Sequence, residues 1–488
     1  MEMKKICFAL LVVAMVATTV HAAVPQAHAP AAHIEADAHA PVQADAVAHA
    51  PGDAVAHGPG GAAAPGPAGA SGSITVAPFA GFLGASLLSL IAFYFQCDNA
   101  PLGSDQSHLF PLVLGSDVPI FDDVVEIVVE IAVEGVWRQS SNRFVGMLQE
   151  ESASQSLPWK TRISMALISA MTDACRRSDG TVNRRLINFF DVRARADGRP
   201  VNGVKTADFT VDGGRGIWVR LFVPVEDSSS SSSSPVIVFF HGGGFAFLSA
   251  ASKAYDAVCR RFARKLRAVV VSVEYRLSPE HPFPAQYDDG SDALRWVGTS
   301  PDFGRFAPGA DLGRVFLAGD SAGGNIAHHV AARFCRDPAA FPALRVAGLV
   351  SIQPFFGGEQ RTESETRLRS AVLVSVDRTD WLWNAFLPAG SGRSHPAAYP
   401  HGPDSTTEMA GLDFPATLVF VGGLDPLQDW QRKYAGWLRD AGKDVRVVEY
   451  KDAVHAFYVF PELPQTSLLF GELEEFVKRQ SARSQAAL

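Results

Sequence analysis

Four short stretches of this chain carry residue types that could do covalent chemistry. Gly319-Asp320-Ser321-Ala322-Gly323-Gly324-Asn325 holds a G-x-S-x-G pattern between the apolar run RVFLAG (314–319) and the helix-forming run 322–336. A sharp strand–turn–helix needs small neighbours, because the serine backbone is strained and adjacent chains pass close. Gly319 and Gly323 supply them, and the helix start would aim the N–H of Ala322 at an oxyanion. Upstream, VIVFF (236–240) runs into His241-Gly242-Gly243-Gly244-Phe245, where glycines leave backbone N–H groups open to a ligand. Gly242 and Gly243 are the expected oxyanion donors, with Ala322 as a third. HGGG lacks the lysine and spacing of a phosphate-binding loop.

A serine hydroxyl needs a base. After ATLVFVG (416–422) comes Asp425, and after VRVVEY (445–450) comes His455. Both would lie just past strand ends, where open α/β sheets build their sites. The reading is therefore Ser321 as nucleophile, His455 as base and Asp425 as the acid that orients it. Asp429 and Asp452 compete for the acid, but one falls in a helical run and the other is too near His455. His395 and His401 compete for the base but follow no strand. Asp320 is expected to fix the turn, and Asp288 and Asp289 to cap a helix and anchor a loop.

The elements that must hold these residues alternate. Strands are expected at 216–223, 236–240, 269–275, 314–319, 345–352, 416–422 and 445–450, with helices at 252–267, 286–297, 322–336, 427–440 and 466–480. Continuous apolar strands between helices imply an α/β fold with a mostly parallel central sheet flanked by helices. The seven serines at 228–234 read as a surface loop.

HGGGF, VSVEYRLSPEHPFPAQYDD, GDSAGGN, GGLDPLQD and the HAF at His455 together resemble the hormone-sensitive-lipase-like branch of the α/β-hydrolases. The plant carboxylesterases, with the related gibberellin receptors, are the nearest group. The resemblance implies an α/β-hydrolase fold with a helical cap, formed by residues near 157–178 and 359–400 with Trp381, Trp383 and Phe386. It implies hydrolysis of small acyl or aryl esters without a metal or other cofactor. His241 and Gly244 then belong to the supporting motif. In the receptors the histidine is replaced and hydrolysis is lost, whereas His455 is present here. A non-hydrolytic small-molecule receptor and a hydroxyisoflavanone-type dehydratase remain the alternatives.

Before this part stand some 150 residues of different texture. Residues 1–22 read as a secretory signal peptide, with Lys4 and Lys5 before an apolar stretch. Residues 23–73 are Ala/Pro/His-rich and offer few large side chains for a core. Residues 74–96 form a hydrophobic, transmembrane or anchor-signal-like segment, uncharged over 74–95. Residues 1–96 resemble an arabinogalactan peptide of plants. Residues 97–155 read as a linker in which Glu126, Glu130 and Glu134 share a helix face while β-branched neighbours favour strand. The hydrolase-like domain is expected over 156–488. The change of texture suggests two joined sequences, a membrane-tethered fusion or a merger of neighbouring genes. Either way that domain is expected in the cytoplasm, with possible membrane association through 74–95.

The formal net charge of −8, with no long basic run, argues against a nucleic-acid partner. Cys7, Cys97, Cys175, Cys259 and Cys335 show no ligand spacing and read as free thiols.

Overall fold

The computed structural model describes residues 157–225, 233–402 and 405–486. The expected signal peptide, Ala/Pro/His-rich stretch, hydrophobic segment and linker all lie outside the described residues, as does most of the serine run.

In chain order the elements used below are α1 (Trp159–Cys175), β1 (Val204–Asp212), β2 (Ile217–Pro224), β3 (Ser234–Phe240), α2 (Lys253–Leu266), β4 (Val269–Glu274), α3 (Ala285–Thr299), β5 (Ala310–Asp320), α4 (Ala322–Arg336), β6 (Val346–Ile352), α5 (Val376–Phe386), β7 (Thr417–Gly422), α6 (Gln428–Asp440), β8 (Val445–Tyr450) and α7 (Pro464–Ala486). The eight strands form one sheet in the order β1-β2-β4-β3-β5-β6-β7-β8. From β4 through β3 to β8 every pairing is parallel. β1–β2 and β2–β4 are antiparallel, which the expected repetition of strand and helix did not anticipate. The cause is local. Only four residues, Gly213–Gly216, join β1 to β2, and so short a link permits only a hairpin.

β3 is buried at every position, because helices cover both faces of the sheet and the Val/Ile/Phe run has no solvent side. One face packs on α2 and α7 through Val258, Phe262, Phe470 and Phe476. The other packs on α3, α4 and α6 through Leu294, Ile326, Val330 and Tyr434.

α5 lies against the loop that follows β3. Phe386 stacks on Phe245 with ring centroids 3.7 Å apart, and Trp383 lies 5.8 Å from the same ring. Both are buried core residues, while Trp381 is half-buried near Phe247. α1 is fixed to α5 by Arg378, whose guanidinium reaches Asp173 at 2.8 and 3.1 Å, Ser169 Oγ at 2.7 Å and the carbonyls of Val372 and Leu373. Removing one partner of so buried a pair leaves a stranded charge, at a cost of roughly 3–5 kcal/mol. These contacts join the two stretches expected to form the cap. Among the described residues no helix is long and apolar enough to cross a membrane.

Candidate active site

The parallel strands from β3 to β8 all end on one side, and five of them deliver a polar group there. After β5, the chain turns at Ser321 with φ 50° and ψ −119°, then enters α4 at Ala322. This left-handed backbone costs on the order of 1–3 kcal/mol for a residue with a Cβ. The surroundings enforce it: Ser321 N–H donates to Ile352 O at 3.0 Å, and Ser321 O accepts from Phe355 N at 2.8 Å. The flanking glycines are required by close approach. A Cβ on Gly319 would stand 2.3 Å from Gly323 O, and one on Gly323 only 2.0 Å from Phe240 O. Asn325 ties the first turns of α4 to neighbouring loops by donating to Phe355 O and Ala397 O while accepting from the Tyr287 hydroxyl.

After β7, Asp425 is fully buried, and after β8, His455 is 7 % exposed. Their Oδ2 and Nδ1 are 2.7 Å apart. A carboxylate can only accept, so Nδ1 carries the proton and Nε2 is left as an acceptor. Burial alone would lower the proton affinity of His455. The charge and hydrogen bond of Asp425, with the charge of Asp320, outweigh burial and raise it above the ordinary histidine value. Asp425 also accepts from Leu427 N, Gln353 Nε2 and Gln431 Nε2. No hydrogen bond joins Ser321 Oγ to His455 among the described contacts.

Gln353, immediately after β6, was not singled out in the sequence. Its amide donates to Asp425 and to Val454 O, and its carbonyl accepts from Ala456 N at 2.8 Å, so it grips both sides of the acid–base pair. Its position was readable, since it is a polar residue just past a strand end, like Asp425.

The rival residues are occupied elsewhere. Asp429 accepts from Ser364 N and pairs with Arg432. Asp452 is exposed. His395 accepts from Ala397 N, and His401 packs against Trp430 and Trp437. Asp289 is buried and holds Arg276 through backbone and guanidinium, which is loop anchoring. Neither it nor Asp288 caps α3, whose N-cap is Pro284.

The loop after β3 corrects one expectation. The N–H of Gly242 does not face an open site: it donates to the Tyr255 hydroxyl at 2.8 Å. It is therefore not available to an oxyanion. The N–H groups of Gly243, Gly244 and Ala322 have no hydrogen-bond partner among the described residues. Gly243 and Gly244 have φ of 107° and 62°, and a Cβ on either would meet Phe247 O at 2.3 Å or Leu382 Cδ1 at 2.4 Å. His241 is buried and stacked on Tyr275 at 4.3 Å, with Nδ1 2.8 Å from Gly242 O. Burial pushes its pKa down to about 4, so it is neutral at pH 7 and serves the loop's packing. Asp320 accepts from the Tyr255 hydroxyl at 3.0 Å, and burial raises its pKa to about 6.

Cys175 and Cys259 are buried thiols and Cys335 is partly buried. Burial pushes Cys175 up to about 12, so it stays protonated. No group of three or more His, Cys, Asp or Glu side chains among the described residues is placed to hold a metal ion.

A family model described as alpha/beta hydrolase fold matches residues 237–459. The gibberellin receptor GID1C of Arabidopsis thaliana is 41% identical over 335 residues, covering 66% of this chain and 95% of the receptor. Carboxylesterase 20 of the same plant is 37% identical over 283 residues, 57% of this chain and 86% of that protein. A solved esterase of the archaeon Pyrobaculum calidifontis superposes with a TM-score of 0.52 at 27% identity, over 65% of this chain and 98% of that one. With the strand order and the groups at the strand ends already in place, these likenesses show that the chain belongs to the α/β-hydrolase family, in the hormone-sensitive-lipase-like branch that takes in plant carboxylesterases and gibberellin receptors.

Proposed function

We propose that this protein is a serine carboxylic-ester hydrolase acting on small acyl or aryl esters. The observation that carries the reading is the 2.7 Å Asp425–His455 hydrogen bond on the same sheet edge as the strained Ser321. Such a pair supplies a base whose Nε2 can accept a hydroxyl proton.

In the first step Ser321 Oγ attacks the ester carbonyl carbon and passes its proton to His455 Nε2. The oxyanion is received by the N–H groups of Gly243, Gly244 and Ala322; losing one such donor typically costs about 10²–10³ in rate. The carbon–oxygen bond to the alcohol then breaks, and His455 returns the proton to the leaving oxygen. Water, deprotonated by His455, attacks the acyl carbon; the bond to Ser321 Oγ then breaks, His455 returns the proton to Oγ, and the carboxylic acid leaves. Asp425 holds the imidazolium by accepting its Nδ1–H. Gln353 and Gln431 keep that carboxylate in place. The apolar side chains of α5 over the loop suit a water-poor site for small esters.

A second reading has a specific observation behind it, the extensive similarity to a gibberellin receptor. A receptor would bind a small molecule without turnover and would not need a base. The presence of His455 with its acid favours the enzyme.

The test uses the full chain, wild type and Ser321→Ala, with p-nitrophenyl acetate and butyrate. Turnover in the wild type that disappears in Ser321→Ala is the expected result. A folded wild-type protein with no turnover, but with saturable binding of a gibberellin by calorimetry, would replace the enzyme with the receptor reading.

A further inference from the structure

The first glycine of the HGGG loop is bound not to a vacant space but to a side chain on a helix. Gly242 N–H donates to Tyr255 Oη at 2.8 Å, and Tyr255 lies in the first turn of α2. Tyr255 Oη in turn lies 3.0 Å from Asp320 Oδ2. The direction of this chain is fixed. A backbone N–H can only donate, so the tyrosine oxygen accepts there and its own proton goes to Asp320. The three groups are in contact, since a Cβ on Gly242 would stand 2.6 Å from Asp320 Oδ2 and 2.8 Å from Tyr255 Oη. Tyr255 and Asp320 are buried, so no water competes for the link.

Asp320 is the residue before Ser321, and β3 and β5 are neighbours paired at Phe240 and Gly319. The tie therefore spans the two strand ends that carry the donor loop and the nucleophile. With Gly242 N–H held inward and Gly242 O beside His241 Nδ1, the two peptide planes on either side of Gly242 are both pinned, the second of which carries the Gly243 N–H. The next two N–H groups, at Gly243 and Gly244, are the ones left without partners.

We infer that Tyr255 is a positioning residue, whose hydroxyl sets the donor loop in register with Ser321 so that Gly243 and Gly244 aim at the oxyanion. This inference rests on the ester-hydrolase reading above. It concerns the developing negative oxygen, so it separates binding of substrate from stabilisation of the tetrahedral state. Asp320 is the anchor of the tie.

The experiment compares full-length wild type, Tyr255→Phe, Asp320→Ala and the double variant. Three quantities are measured with p-nitrophenyl butyrate as substrate: kcat, KM and the inhibition constant of an aryl trifluoromethyl ketone, which forms a tetrahedral oxyanion on a serine. For Tyr255→Phe, kcat should fall about 10- to 100-fold, below the full cost of a lost donor, with KM within about threefold. Trifluoromethyl ketone affinity should fall by a factor similar to kcat, and the double variant should lose little more than the worse single variant. Thermal unfolding and labelling of Ser321 by a fluorophosphonate check that each variant is folded with a reachable nucleophile. If Tyr255→Phe keeps kcat and ketone affinity within twofold of wild type, or if the two losses multiply, the tie does not position the loop. If the wild type itself neither turns over ester nor takes the fluorophosphonate, the hydrolase reading fails and the inference with it.

Discussion

The two halves of the candidate site are built from different materials. At the ends of β3 and β5 the groups that matter are mostly backbone. Gly243, Gly244 and Ala322 contribute N–H groups, and the glycines at 319 and 323 are set by contacts as close as 2.0 Å to a hypothetical Cβ. At the ends of β6, β7 and β8 they are side chains, with Asp425 receiving His455, Gln353 and Gln431 as well as one backbone N–H. The first half is rigid because main chains are packed on one another. The second is rigid because the buried Asp425 carboxylate is held by His455, Gln353, Gln431 and the Leu427 N–H together. A backbone half should fail abruptly when a single carbon is added. A side-chain half should fail by degrees as hydrogen bonds are removed, except at the acid itself.

The largest effect is expected at that acid. Asp425→Asn keeps the shape but no longer enforces the Nδ1–H tautomer, and kcat should drop about 10⁴-fold while the fold persists; ester hydrolysis and circular dichroism check it. Next comes Gly323→Ala, whose Cβ would meet Phe240 O at 2.0 Å. Overpacking of this kind costs roughly 1–3 kcal/mol or more, so urea unfolding should shift to lower midpoint and activity should be lost together. Gln353→Ala removes one of several bonds to Asp425 and should cost about tenfold in kcat, the equivalent of a single hydrogen bond to a charged group, with KM little changed. If Gln353→Ala were as damaging as Asp425→Asn, the graded behaviour of this half would be refuted.

The smallest effect is a displacement along the pH axis. His455 must be neutral to accept a proton, so kcat/KM should fall as pH decreases through its pKa. Because Asp425 and Asp320 raise that pKa, the acidic limb should have its midpoint above the ordinary histidine value of about 6.5. In Asp425→Asn the residual activity should show a midpoint moved down, since the main opposition to burial is gone. The same shift makes the protonated histidine stabilising: that contribution is full below the unfolded-state pKa and is lost as pH rises through the folded one.

Much of this was open to a reader of the sequence, and the reasons follow the same division. Ser321, Asp425 and His455 could be picked out because each directly follows an apolar strand, or does so within five residues, and strand ends in parallel sheets share one edge. The strands themselves were visible as Val/Ile/Phe runs, and α4 as a helix over 322–336. β1 was not, since its buried and exposed positions form no continuous apolar run. With β1 unseen, the antiparallel pairing of β2 could not be foreseen. Gly242 could not be read correctly from HGGG, because the direction of its N–H depends on Tyr255, thirteen residues later and on a helix. Gln353 could have been found by the rule that found Asp425, since it is a polar residue directly after an apolar strand. From local sequence Asp289 is expected both to cap a helix and to anchor a loop; the anchoring is seen in its contact with Arg276, whereas the cap is not, since α3 starts after Pro284.

The turn at Ser321 has a consequence for anyone who would make this protein hardier. Its backbone, at φ 50°, is a conformation that glycine adopts freely and serine does not. A library screened only for survival of heating would therefore reward replacement of the reacting side chain by a hydrogen atom. Heat resistance and chemistry pull in opposite directions at this one residue, so any such screen must keep a catalytic readout in the same well.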